Sequence, residues 1–182
     1  MERVLLFALT LFLSACATKV SHQKIDSDRL ESDEQGYLLI GVNTNRSLKS
    51  IRISGPQNIL LTPKDIRQGS NYILVALPLG TYHIERVDLN RYSYLKLDDE
   101  QNWQISLQKS QINYVGHLDI ATTGFWRTRS YIELINRSAQ ALAYLEESFP
   151  NLLQQRHIAY GGPGEDGFLE YVQQHNISQE QK

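Results

Sequence analysis

NYILVALPLGTYHIERVDL, residues 71–89, sets two runs of strand-forming residues on either side of Pro78-Leu79-Gly80. Tyr, Ile, Val and Thr recur in both runs, and such side chains suit a pleated, half-buried surface. The second run alternates, with Tyr82 and Ile84 on one side and His83 and Glu85 on the other. One buried face and one wet face describe a strand lying on a core. Proline and glycine at the junction mark a turn, since proline presets φ and glycine accepts backbone angles that other residues avoid.

The pattern extends in both directions. GYLLIGVN (36–43), LKSIRIS (48–54), YSYLKL (92–97), WQISLQ (103–108), INYVGHLDI (112–120) and SYIELIN (130–136) are short, apolar and rich in β-branched and aromatic residues. Turn formers separate them at Asn43–Asn45, Ser54-Gly55-Pro56, Gly69-Ser70-Asn71, Asp98-Asp99-Glu100 and Thr122-Thr123-Gly124. Ile51 and Ile53 alternate with Arg52, as Ile105 and Leu107 do with Ser106. No long amphipathic helix interrupts the runs before Asn136. That excludes a βαβ reading and favours an antiparallel sandwich or barrel over residues 36–136.

Beyond Asn136 the period becomes helical. Ser138 is placed to cap a helix over 139–147, with Ala141, Leu142, Leu145 and Phe149 as its apolar side. Pro150 either ends that helix or opens a further turn through Leu152 and Leu153. GGPGEDG (161–167) reads as a loop whose Asp166 caps a last short helix over 168–174. Residues 137–182 are therefore expected to form a helical extension packed on the β-domain, ending in a polar tail.

LPLGTYHIERV (77–87) resembles the LPPGTYTL-type hairpin of transthyretin-like domains, a group that includes carboxypeptidase regulatory domains. INYVGHLDI resembles the strand that follows in bacterial lipoproteins of that architecture. The resemblance covers about half the chain. It implies an antiparallel β-sandwich of seven or eight strands that binds or supports something, and it brings no catalytic residues with it.

The start of the chain carries a different signal. Met1-Glu2-Arg3 precedes an apolar run from Val4 to Leu13, which is too short to span a bilayer, and then Ser14-Ala15-Cys16. A charged start, a short apolar run and small residues before a break describe a secretory signal over residues 1–15. Leu13-Ser14-Ala15-Cys16 resembles the lipobox of bacterial lipoproteins. The resemblance implies cleavage before Cys16, a diacylglycerol in thioether linkage on its sulfur, and a further acyl chain on the new N-terminus. Several chains hold a protein durably where one holds it weakly. Ala17, where lipoproteins retained at the inner membrane carry Asp, implies the outer membrane with the body facing the periplasm. The alternative is an ordinary signal peptide followed by a chance cysteine. Cys16 is the only cysteine, so no intramolecular disulfide can form.

Residues 16–35 are polar, mixed in charge and without apolar periodicity. They read as a flexible tether with a reach of roughly 25 Å, or as a short helix nucleated by Ile25 and Leu30. The composition, with 41% apolar types, 21% charged residues and a net charge of −2, excludes a generic disordered chain and offers no basic face for nucleic acid.

Four constellations could carry chemistry. His83-x-Glu85 and His117-x-Asp119 each set an imidazole and a carboxylate on one strand face, and adjacent strands would bring together ligand types that zinc accepts. Separate strands would make them ordinary wet stripes. No G-x-S-x-G elbow is present, and the one cysteine is committed to lipid. GGPGEDG lacks the Gly-Lys-Ser/Thr of a phosphate-binding loop. In FWRTRSY (125–131), Phe125, Arg127, Arg129 and Tyr131 share one strand face and Trp126 the other, and this arginine–aromatic strip, with Trp126, Arg127, Arg129 and Tyr131 as its binding candidates, suits anionic head groups, glycan or a protein partner; otherwise the arginines snorkel over a sheet edge. The expectation is a lipid-anchored envelope protein with a non-catalytic binding or scaffolding role and no cofactor. The rival is a metal-dependent hydrolase built on His83, Glu85, His117 and Asp119.

Overall fold

In the computed structural model, residues 17–20, 22–98, 101–124 and 129–180 are described, with side chains through 174. In chain order these form β1 (Thr18–Lys19), β2 (Gln35–Thr44), β3 (Ser50–Ser54), β4 (Ile59–Leu61), β5 (Gly69–Pro78), β6 (Gly80–Asp88), β7 (Tyr94–Lys96), a 3-10 turn (Gln101–Trp103), β8 (Gln104–Leu107), β9 (Ile112–Thr123), β10 (Arg129–Ile135), α1 (Ser138–Ser148), α2 (Pro150–Gln155), β11 (Ile158–Tyr160) and α3 (Gly167–Glu180).

The strands make two sheets. One runs β1-β4-β3-β6-β7, with β8 sharing β6; the other runs β10-β9-β2-β5, with β11 sharing β9. Both are mixed, which corrects the expectation of antiparallel pairing throughout. β2 and β9 lie parallel side by side, as do β1 with β4 and β11 with β9. Parallel neighbours need a long crossover, and the chain between β2 and β9 supplies it by building most of the other sheet. The fold is mainly β, with three helices at the C-terminal end.

The stretch 71–89 holds the second correction. β5 pairs with β2 in one sheet, whereas β6 pairs with β3 and β8 in the other. Pro78-Leu79-Gly80 is thus a corner between sheets and not the tip of a hairpin. Gly80 takes φ +131°, open to glycine alone, and a Cβ there would lie 2.8 Å from Pro56 Cγ. The Tyr82 hydroxyl donates back to the Pro78 carbonyl at 2.9 Å and pins the bend.

One core lies between the sheets. Leu38, Ile40, Val42, Val115 and Leu118 meet Ile51, Ile53, Tyr82, Ile84 and Ile105. A second cluster covers the other face of the β2–β9 sheet, where Tyr37, Leu39, Leu74, Ile112 and Tyr114 pack against Ala141, Leu145, Phe149, Leu152, Ile158 and Leu169 of the C-terminal elements. β2 is therefore buried on both faces.

Asp166 caps α3 by accepting the Leu169 N–H at 2.9 Å. Ser138 is the first residue of α1 and not its cap; its N–H goes to Asn136 Oδ1 at 3.0 Å. The glycine-rich loop is tightly held. Gly161 donates its N–H to Tyr114 O and accepts from Ser106 N, so it joins β9 to β8 across the two sheets. A Cβ on Gly161 would meet Ser106 O at 2.5 Å, which is why glycine stands there.

Residues 17–35 differ from the expected free tether. β1 pairs with β4. Gln23 N–H donates to Leu74 O, and Leu74 N–H donates to His22 Nδ1, along the outer edge of β5. Asp26 accepts the Asn151 and Leu152 N–H groups at 2.9 and 2.8 Å, capping α2 from a distance in sequence. Asp28 binds Arg156 Nη2 at 2.6 Å and accepts from the Tyr37 hydroxyl at 2.9 Å. Burial opposes ionisation of Asp28, but the bonds from Arg156, Leu30 N–H and Tyr37 outweigh it and lower the pKa. The segment is a strap, because its acidic residues find orphan N–H groups and a guanidinium on the helical layer.

Candidate functional site

His117 and Asp119 lie on β9, facing the helical layer, while His83 and Glu85 lie on β6, on the open face of the other sheet. The shared core separates the two pairs. The convergence needed for a zinc site does not occur, and among the described residues no three of His, Cys, Asp and Glu come together. Cys16, Trp126 and Arg127 lie outside the described residues. Arg129 and Tyr131 are exposed on β10, and the Tyr131 hydroxyl bonds to Glu133 of the same strand.

His117 belongs to a closed polar cluster. The register of β2 against β9 shifts between Leu39 and Gly41, where Gly116 takes φ +111°. This bulge re-aims the side chains so that Tyr114 and His117 share a face three residues apart. The Arg137 N–H donates to the Tyr114 hydroxyl at 2.9 Å, and the same hydroxyl bonds to His117 Nδ1, also at 2.9 Å. Tyr72 meets the His117 ring edge-on at 4.8 Å and stacks on Tyr144 of α1 at 4.2 Å. Arg137 pairs with Asp119. Burial, aided by the Arg137 charge, pulls the His117 pKa down to about 4, and burial raises the Tyr114 pKa. The cluster docks α1 onto the sheet, and its ring nitrogens are closed to substrate.

The open face of the β3–β6–β7 sheet is different. Arg52, Arg86 and Lys96 are direct cross-strand neighbours, forming a cationic row over three strands. Like charges set opposite one another repel. Asp88, almost fully buried beneath them, offsets this by pairing with Arg86 Nη2 at 2.6 Å and Arg52 Nε at 3.4 Å, while accepting the Ser50 hydroxyl at 2.7 Å. Burial alone would raise the Asp88 pKa; the bonds from Ser50 and Arg86 and the two cationic charges hold it low. The Arg86 guanidinium lies 3.7 Å over the Tyr94 ring, which is 53% exposed. Arg52, Arg86, Tyr94 and Lys96, with His83, Glu85, Leu97 and Asp98, line a groove of about 430 Å³. Its donors, acceptors and ring face can hold a polar ligand; nothing in it resembles a nucleophile–base pair. Of these residues the sequence pattern singles out only His83 and Glu85, because the row depends on pairing register, which composition does not reveal.

Comparison with protein-family models, with curated proteins and with solved structures finds no match to this chain.

Proposed function

We propose that this chain is a lipid-anchored bacterial envelope protein with a non-catalytic binding or scaffolding role. The observation that carries this reading is Leu13-Ser14-Ala15-Cys16, the lipobox-like motif that ends a short apolar run and holds the one cysteine. Ala17 directs the anchor to the outer membrane, with the body in the periplasm. We read the two facing sheets as a sandwich of the transthyretin-like kind, with the helices as a third layer. The open-face groove serves as the recognition surface for a polar partner, protein or glycan. It suits that role because Arg52, Arg86 and Tyr94 are already held in place by Asp88 and by one another, so little ordering cost falls on binding.

Metabolic labelling with a palmitate analogue tests the anchor. Label is expected on the wild-type chain and not on Cys16→Ala; label that persists on Cys16→Ala overturns the reading.

A further inference from the structure

Sheet edges invite pairing with other strands, and proteins cover or blunt them. Here the β5 edge is covered by His22 and Gln23, the β4 edge by β1, and Ser106 of β8 bonds to Gly161. Among the described residues β7, three residues long, and β10 are left bare, and β10 is the longer of the two. It pairs with β9 on one side, and among the described residues no other backbone group bonds to it. It is seven residues long and free of proline and of register shifts. Ile132 and Leu134 turn inward against the core; Arg129, Tyr131 and Glu133 are exposed on the opposite face.

We propose that β10 pairs antiparallel with β10 of a second copy of this chain, about a two-fold axis through Tyr131. In that register Arg129 stands opposite Glu133 of the second copy, and the pairing occurs twice by symmetry. Tyr131 meets its own counterpart, and Ser130 faces Ile132. The alternatives are poorer. Centring on Ile132 sets Arg129 against Ile135, and centring on Ser130 sets Arg129 against Tyr131 and Glu133 against position 127, outside the described residues. A shift by one residue turns the second copy over and places its apolar face among charges. Within β10 the chosen register alone sets Arg129 against Glu133, and it keeps the two apolar faces on one side, continuous with the core layer. The partner is thus a second copy, fixed by charge complementarity along the strand. The inference rests on β10 being a binding surface and is independent of the groove.

The test uses the full chain in membranes, with single cysteines placed on β10 and mild oxidation, and the wild-type chain as the blank. Residues facing across the axis lie within disulfide reach, so Tyr131→Cys is expected to give at least about tenfold more crosslinked dimer than Ile132→Cys. Arg129→Glu in the Tyr131→Cys background is expected to reduce the dimer, and adding Glu133→Arg is expected to restore it. All these side chains except Ile132 are exposed, so the variants should fold. Equal crosslinking at positions 131 and 132, or a loss that the reversed pair does not restore, overturns self-pairing. Tyr131→Cys captured by a different envelope protein would also overturn self-pairing while leaving β10 a binding surface; no capture of any kind removes both.

Discussion

Gly41 shows how much one missing side chain can decide. A Cβ there would stand 2.3 Å from two atoms of the His117 ring, which Tyr114 and Tyr72 fix from other sides. The ring has nowhere to go, so overpacking is the expected consequence. Gly41→Ala should cost about 1–3 kcal/mol in urea unfolding. The same change made in a His117→Ala background should cost far less, because the clashing ring is gone. Equal costs in both backgrounds would mean that the glycine serves the backbone and not the ring. The sequence did show a glycine inside a strand run, which signals a bulge or close approach. What approached it could not be read, since His117 reaches Gly41 only through parallel pairing of segments far apart in the chain.

At the scale of elements, the division into layers was already legible. The three runs with clear alternation, around Ile51, Tyr82 and Ile105, are β3, β6 and β8, all in the sheet with one wet face. The runs without it, GYLLIGV, NYILVAL and INYVGHL, are β2, β5 and β9, packed on both faces. Two-sided burial calls for continuous apolar runs, and one-sided burial for alternation. The eight runs marked in the sequence correspond to β2, β3 and β5 to β10. The short β1, β4 and β11 escaped because two or three residues carry no period. The strap escaped because its hold is polar: Asp26 and Asp28 look like solvated charges until their partners on α2 and at Arg156 are known. The double variant Asp26→Ala/Asp28→Asn uncaps α2, a loss of about 1 kcal/mol for the cap alone, and removes the Arg156 pair. Trypsin should then cut faster at the exposed Lys24 and Arg29 while the remaining body resists. Unchanged cleavage rates would show that the strap is held by β1 and residues 22–23 alone.

For the molecule as a whole, buried His117 and half-buried His22 set the response to acid. The His117 pKa is depressed to about 4, and burial lowers that of His22 as well, against 6.5 for the free side chain. Between pH 6.5 and 4 the unfolded chain binds protons that the folded chain refuses, so stability rises with pH across this window and falls on acidification. For His117 the full effect is of order 3 kcal/mol. The lowered pKa values of Asp28 and Asp88 act in a different range: their contribution is present above about 3.8 and lost only as pH falls further. His117→Gln should therefore flatten the stability curve between pH 6.5 and 4 and leave the steeper loss below it. A wild-type curve already flat over that range would contradict the closed, neutral setting of His117.

β1 gives the fold a mechanical character. In a chain anchored at Cys16, any load enters the body at Thr18, one residue beyond Ala17, through a strand of two residues lying parallel to β4. That strand is joined to β4 by only two register pairs. Once it, the His22 and Gln23 bonds to β5 and the Asp26 and Asp28 contacts have all yielded, the segment up to Glu34 spans on the order of 60 Å at full extension. Under the proposed anchor at Cys16, the polar leader of the body would thus be a reserve of length stowed on the surface.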